Sequence, residues 1–515
     1  MGQTTVNSDR PPYGILAILM IGAFITFLNN TLLNVALPSI MTDLQVDTAT
    51  VQWLTTGFML VNGIMIPTTA FLIQKYTVRR LFIVAMSLFS IGTVMAGIAH
   101  AFPILLSARM VQASGSAIMM PLLMNVMLVS FPVAKRGAAM GMFGLILMFA
   151  PAIGPTLSGW IVEHYNWRML FYFVSPISIG ILVVGIFLLK DKKENVDIRL
   201  DFFSLILSSV GFGGLLYGFS SAGSRGWDSP HTYATVVIGA ILLFWFIKRQ
   251  AKLAQPMLNF SIFKYPMFSL SAAITMIINM AMFSGFLLLP IYTQNVLGFS
   301  PMETGLMMLP GALLNAAMSP FTGKLFDRIG GRILAVTGLT ITMVVTYAFS
   351  HLTTETSYLY LMLLHAGRMV GFSMIMMPIQ TNGLNQLPAR FYPHGTAMNN
   401  TFNQISGAIG TALLVTVMAN REVTHGAQLT SEAMKKFGEQ LPEEIRHGIG
   451  MNAMVEGINF SFFISSILIV IALILAFFMK RATPGEDPFE EKKVPVSTQD
   501  EPRMTKVEDP AHHYR

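Results

Sequence analysis

Arg109 and Arg368 are the residues from which a function can be argued. Each stands in an apolar stretch of membrane-spanning length, and each opens the same tripeptide, Arg-Met-Val. A charged side chain at bilayer depth is costly, so it marks a functional site by default. His365 lies three residues before Arg368, on the same helix face. Imidazole titrates near neutral pH, so this pair suits handling of a charge or a proton within the membrane. The plainer alternatives are an arginine that holds helices together through backbone carbonyls and a histidine that only packs.

Two amide clusters accompany the arginines. Asn29, Asn30 and Asn34 lie in the first apolar stretch, and Asn399, Asn400, Asn403 and Gln404 form a polar ridge in a late one. Such residues either line a cavity or tie helices together, for about 0.5–2 kcal/mol each. Asp327 and Arg328 sit where an apolar stretch ends, placed to act as a latch that one access state makes and another breaks. Lys75, Arg79 and Arg80 occupy a similar turn without the acid. The stretch from Gly141 through Gly144, Gly154, Pro155 and Gly159 presents small residues and a Gly-Pro bend. A helix of that kind can approach a neighbour closely and flex.

The elements that position these residues follow from composition. Of 515 residues, 53% are hydrophobic and 11% charged, with a mean hydropathy of +0.60. A soluble domain carries about 25% charged residues, so the fold class is an all-α integral membrane protein. Fourteen spans are expected, at 14–38, 51–73, 81–99, 104–130, 137–162, 168–190, 202–220, 233–248, 267–292, 302–325, 332–351, 357–384, 395–418 and 458–480. Most have the length that about 30 Å of hydrocarbon requires. A β-barrel is excluded because its strands would be about ten residues long and alternating. The first apolar run is too long for a signal peptide's core, so it is expected to be a span. The chain has no cysteine, which removes disulfides and thiolate chemistry.

Charge sets the orientation. Lys75, Arg79, Arg80, Lys135, Arg136, Lys190, Lys192, Lys193, Arg199, Lys248, Arg249, Lys252, Lys324, Arg328 and Arg332 fall in alternate short connections. The intervening ones hold Asp43, Asp47, Glu163 and Asp228. The positive-inside rule then places both termini in the cytoplasm, in a multi-pass protein of the cell membrane. The net charge of +7 is dispersed among these loops, which argues against nucleic acid as a partner. Trp53, Trp160 and Trp167 are expected at the outer interface.

The chain repeats itself. Arg109-Met-Val leads to Met119-Met120-Pro121, and Arg368-Met-Val leads to Met376-Met377-Pro378. Gly137-Ala-Ala-Met140 answers Gly395-Thr-Ala-Met398, and the turn at 70–80 answers the turn at 323–332. Two six-helix halves, 13–190 and 265–481, with an inserted helix pair at 200–250, are the expected organisation. Residues 1–12 form a polar lead, 419–457 a long outer polar stretch that is either a surface helix or hairpin over the exit or a solvated connector, and 482–515 a disordered tail by composition. A parallel duplication places the substrate cavity between the halves near the midplane.

These motifs together resemble the major facilitator superfamily, and within it the 14-helix drug/proton antiporter family. The pattern looks most like the lincomycin-resistance branch of Gram-positive bacteria. Leu28-Asn29-Asn30-Thr31-Leu-Leu-Asn34-Val35-Ala36-Leu37-Pro38 is close to that family's Leu-Asp-x-Thr-x-x-Asn-x-Ala-x-Pro signature. Gly323 to Arg332 fits the superfamily's gating turn, and Gly141 to Gly159 its antiporter motif, with Ala150 and Ser158 in place of two glycines. Arg109 and Gln112 fit the motif that the family associates with proton transfer. The resemblance covers about 14–480. It implies a secondary transporter exporting amphipathic drugs by proton antiport and alternating access. Small-molecule substrates and the bilayer would be its partners, it would act as a monomer, and the proton gradient would serve in place of any cofactor.

Two departures matter. Asn29 stands where the family has an acid, and Gln74 replaces the acid of the first gating turn. No Asp or Glu falls in the middle of a span, and Glu163 and Asp201 lie at span ends. Coupling is then left to another group, such as His365, or to another cation. Export of an endogenous lipid or metabolite, and monovalent-cation/proton exchange, are the alternative functions. No paired-carboxylate, nucleophile or Gly-x-x-x-x-Gly-Lys-Ser/Thr motif supports an enzyme or direct ATP drive.

Overall fold

The structure is a computed structural model that describes residues 13–46, 48–51, 53–190, 201–227, 229–253, 255–437 and 441–483. The polar lead, the connection at 191–200 and the tail from 484 lie outside the described residues. The long helices of the first half are α1 (Tyr13–Leu44), α2 (Trp53–Lys75), α3 (Val78–Gly97), α4 (Phe102–Ser130), α5 (Arg136–His164) and α6 (Arg168–Leu188). The inserted pair is α7 (Phe202–Arg225) and α8 (Pro230–Lys252). The second half comprises α9 (Pro266–Asn295), α10 (Pro301–Ile329), α11 (Gly331–Ala348), α12 (Tyr358–Ser373), α13 (Met376–Asn385), α14 (Tyr392–Phe437) and α15 (Glu443–Ala476).

Ten spans among the described residues are long and apolar enough to cross a membrane, and α2, bent by 49° at Pro67, makes eleven. In that count α12 and α13 form one span. The other three expected spans, α5, α9 and α10, are helices of 29, 30 and 29 residues that pack closely on neighbouring helices. By contrast α8 is mostly exposed, with Ile238, Ile241, Phe244 and Trp245 outward, as a lipid-facing helix requires.

Local sequence explains where several helices stop. Pro378 cannot donate to the preceding turn, and its ring crowds the carbonyl four residues back. The chain breaks there into α12 and α13. In the first half Pro121 lies inside an unbroken α4, so the same Met-Met-Pro motif gives two outcomes. Between α10 and α11 the chain reverses at Gly330 with φ +83, a conformation that favours glycine. Thr77 does the matching work in the first half by capping α3, accepting from the Arg80 backbone N–H at 3.2 Å.

The outer stretch takes the helical form rather than that of a solvated connector. α14 continues to Phe437 and α15 begins at Glu443, so 419–457 is largely a helical hairpin extending two spans. Arg421 and Glu456 pair across it at 2.7 Å, and Gly457 lets Met418 approach. Trp167 also departs from its expected place in an interfacial belt. It is fully buried and donates to Asp43 at 3.1 Å, while Trp160 and Trp53 are exposed.

The halves meet along two seams. α5 and α10 make the most extensive helix pairing in the molecule, and α14 packs on α2 and α4. α7 covers the second seam by packing on both α2 and α14. One apolar cluster runs through the first half and takes in Phe268, Met377, Leu384, Tyr392 and Met398 of the second. Those residues lie toward the end carrying the basic connections, so the halves are fused at that end.

Candidate functional site

Arg109 is completely buried in α4. Its guanidinium donates to Gln112 Oε1 at 2.9 Å and to Asn30 Oδ1 at 3.2 Å, and lies 4.3 Å from the centre of the Phe58 ring. Gln112 passes the network on to Thr93 Oγ1 at 2.7 Å. Four helices, α1 to α4, thus converge on one cation. The sequence reading brought Arg109 and Gln112 together correctly. Asn30 joins them, and Phe58 and Thr93 carried no signal beyond lying in apolar segments. No carboxylate pairs with Arg109 among the described residues.

Arg368 has a sparser setting. It is buried in α12, donates to the Ala281 carbonyl at 3.1 Å, and sits 5.8 Å from the centre of the Phe462 ring. Gly285 leaves room for it, since a Cβ there would collide with the guanidinium. This is the carbonyl-holding arrangement that was the alternative for Arg109. His365 is buried on the same helix, against Gly311, and its Nδ1 has no partner. Among the described residues, no hydrogen bond joins it to Arg368.

The amides divide. Asn29 is buried with an unpartnered Nδ2, and Asn30 is half-buried. Asn34 and Pro155 have side chains outside the described residues. On α14, Asn403 accepts from Asn279 at 2.7 Å and from Gln380 at 3.4 Å, while Asn399 is buried and Asn400 and Gln404 are half-buried. Asn279 and Gln380 were missed. The density of amides at Gln380, Asn382, Asn385 and Gln386 in one ten-residue stretch could have pointed to α13.

The gating turn is engaged at the basic end. Asp327 accepts from the backbone N–H of Gly137 at 2.8 Å and of Ala138 at 2.9 Å, at the start of α5. An anion at a helix N-terminus is stabilised by unpaired N–H groups and by the aligned peptide dipoles. Arg136, beside it, reaches Asn385 at 3.2 Å and stacks 4.8 Å from the centre of the Tyr392 ring. Gly137 and Gly323 touch backbone to backbone, and a Cβ on Gly141 would come within 2.5 Å of the Ser319 carbonyl. Arg328, expected to share the latch with Asp327, is exposed and has no polar partner among the described residues. Arg481 takes that place, donating to the Asp327 carbonyl at 2.8 Å. Asn382 straps the same segment, bonding the Lys480 carbonyl at 3.0 Å and the Ala482 N–H at 3.1 Å.

The glycines of α5 act in two groups. Gly137, Gly141 and Gly144 face the other half, whereas Gly154 packs on Thr31 of its own half and Gly159 has no neighbour within 4 Å. In this conformation the seam therefore closes at the basic end of α5, and the antiporter-motif glycines Gly154 and Gly159 do not seal it.

Comparison with known proteins agrees with this geometry. The chain is 49% identical to the "Uncharacterized MFS-type transporter YhcA" of Bacillus subtilis, over 83% of this chain and 80% of that one. It is 44% identical to the Bacillus subtilis "Lincomycin resistance protein LmrB", over 93% of this chain and 98% of that one. Among solved structures it is similar to the human organic anion transporter MFSD10, with a TM-score of 0.60 and 13% identity, covering 89% of this chain and all of that one; at that identity only the fold is shared. The Major Facilitator Superfamily profile matches residues 19–411, and the chain belongs to that family of membrane transporters.

Proposed function

We propose that this protein is a secondary active exporter of drug-like amphiphiles that works by proton antiport and alternating access in the cell membrane. The observation that carries the reading is the latch: Asp327 of one half holds two backbone N–H groups of the other, at one end of a seam lined with glycine. A carboxylate at a helix N-terminus forms a contact that two rigid halves can make or release as units. The positive-inside rule puts that latch and both termini on the cytoplasmic side, so the described state is closed inward. The similarity to a lincomycin resistance protein supports an antibiotic-like cargo. The fit of Arg109 and Gln112 to the family's proton-transfer motif supports a proton as the driving ion. The functional unit is a monomer, with the cavity between its own halves.

The test is efflux of a neutral and a cationic lipophilic dye from vesicles holding the purified protein, with and without an imposed pH gradient. Export that follows the gradient supports the proposal. Export of either dye at the same rate without it removes proton antiport. No export of any amphiphile removes the drug reading and favours an endogenous cargo.

A further inference from the structure

The amides around Arg109 have a fixed polarity. A guanidinium carries only donors, so the amides it touches must turn their carbonyl oxygens toward it. Gln112 and Asn30 both do. The Gln112 nitrogen is then used by Thr93, whose hydroxyl donates in turn to the Phe89 carbonyl at 2.7 Å. The Asn30 nitrogen faces away from Arg109, on a half-buried side chain, and meets no acceptor among the described residues. Next to it in the chain, Asn29 is 2% exposed and its amide nitrogen is unpartnered. The Nε of Arg109 is buried and unpartnered as well.

Buried donors without acceptors are rare in folded proteins, and each calls for an explanation. Here there are two, Asn29 Nδ2 on α1 and Arg109 Nε on α4, with the half-buried Asn30 nitrogen beside the guanidinium; α1 and α2 both pack on α4, and α2 and α4 adjoin α14 across the seam. No Asp or Glu lies within twelve residues along the chain of Asn29, Asn30, Arg109 or Arg368. Among the described residues no acceptor meets these donors, which leaves room for one brought by a bound molecule.

We propose that Asn29, Asn30 and Arg109 form an acceptor-binding subsite that takes the carbonyl, carboxylate or sulfonate oxygen of a neutral or anionic amphiphile and disfavours permanent cations. This rests on the efflux reading and specifies its substrate class. Asn30 supplies the accessible donor, Asn29 the second donor, and Arg109 the charge behind them. A permanent cation finds no counter-charge here and meets the field of a buried guanidinium, which low dielectric strengthens.

The experiment uses three fluorescent probes with the purified full chain. Phenylnaphthylamine is neutral, anilinonaphthalene sulfonate adds one sulfonate to the same rings, and ethidium is a permanent cation. Equilibrium binding and export from vesicles are both measured, for wild type, Asn30→Asp and Asn30→Ala. The sulfonate is expected to bind about tenfold tighter than its neutral partner, and ethidium weakest. Asn30→Asp, whose carboxylate would pair with Arg109, should remove the sulfonate preference and admit ethidium. Asn30→Ala should lose the preference without gaining ethidium. A sulfonate-to-neutral ratio that stays within about twofold of its wild-type value in both variants overturns the subsite, as does wild type binding ethidium tightest. Sulfonate binding that depends on Asn30, with no export of any probe, keeps the subsite and removes the efflux reading. Export of the neutral probe with no Asn30 dependence does the reverse.

Discussion

The turns at 70–80 and 323–332 share a sequence pattern and make different contacts. In the second half, Asp327 reaches across the seam to the start of α5. In the first, Gln74 donates to Ala70 of its own helix at 2.9 Å, and Arg79 donates to the Ile186 carbonyl of α6 at 3.1 Å. Gly137 of α5 meets Gly323 of the other half, whereas its counterpart Gly395 on α14 packs on Leu384 and Leu387 of its own half. The turn at 323–332 therefore joins α10 to the start of α5 across the seam. The arginines show the same divergence: Arg109 orders side chains from four helices, and Arg368 is tied to a backbone carbonyl.

The largest effect expected from this asymmetry separates the arginines. Arg109→Ala leaves the buried oxygen of Gln112 and the half-buried oxygen of Asn30 without a donor. Breaking one side of a buried polar network costs about 3–5 kcal/mol when the partner is charged and about 1–3 kcal/mol when it is neutral. Efflux should fall about a hundredfold or more, while Arg368→Ala should lose about tenfold or less. Rates in vesicles, normalised to inserted protein, measure both. Equal losses would mean that the two sites are functionally equivalent despite their contacts.

The gating turns come next. Asp327→Asn removes the charge from two hydrogen bonds, each worth about 1.5–3 kcal/mol as a charged contact. Turnover should fall about tenfold or more, with substrate affinity changed less than about threefold, because the latch sets a population rather than a binding contact. The chain has no cysteine, so Ser319→Cys provides a single thiol at the seam. Asp327→Asn should expose it to a maleimide about tenfold faster. Gln74→Ala should change either quantity less than about threefold, and a tenfold effect would restore the symmetry denied here.

Arg481 sharpens the comparison, because the first half has no counterpart to it in the described residues. Arg481→Ala should weaken the Asp327 turn by about one exposed charged contact, for a two- to fivefold change in the same labelling rate, roughly 0.2–1 kcal/mol. Arg481→Lys should recover part of it. Wild-type labelling in Arg481→Ala would leave the strap to Asn382 alone.

Much of this was legible beforehand, for physical reasons. The apolar lengths specify the helices, and the Arg-Met-Val repeats mark the two buried arginines. Asp327 could be read because a carboxylate at the end of a span needs a partner. The identity of that partner was hidden, since backbone N–H groups at the start of α5 leave no side-chain signature. Arg328 was the obvious charge to pair with it, yet its position on the helix turns it to solvent. Arg481 was unreadable because it follows the last span by chain order alone. At 419–457 the sequence left a helical hairpin and a solvated connector open, because the segment projects past the apolar windows that mark spans. Asn279 and Gln380 were lost among apolar neighbours, where a single amide looks like packing.

The inserted pair provides the smallest effect, and it tests whether charge outside the two halves matters to transport. Asp201 precedes α7 and accepts from Arg249 Nε at 2.7 Å and Nη2 at 3.1 Å, and from Ser204 Oγ at 2.6 Å. The Arg249 hydrogen bonds, joined by those of Ser204, hold its carboxyl down at about 2. Side-chain exposures of 23% for Asp201 and 40% for Arg249 leave the pair screened by water. An unfolded Asp titrates near about 4, so on acidification the unfolded chain takes up this proton first. The pair's contribution is complete above about pH 4, declines as pH falls toward 2, and is gone below it. Thermal unfolding of the detergent-solubilised protein across that window should show a shallower acid limb in Asp201→Asn than in wild type. Efflux at neutral pH should stay within about twofold, because the pair ties α7 to α8 and touches neither seam. Identical acid limbs would assign the acid sensitivity to other carboxylates, and a large loss of efflux would make the inserted pair part of the moving machinery.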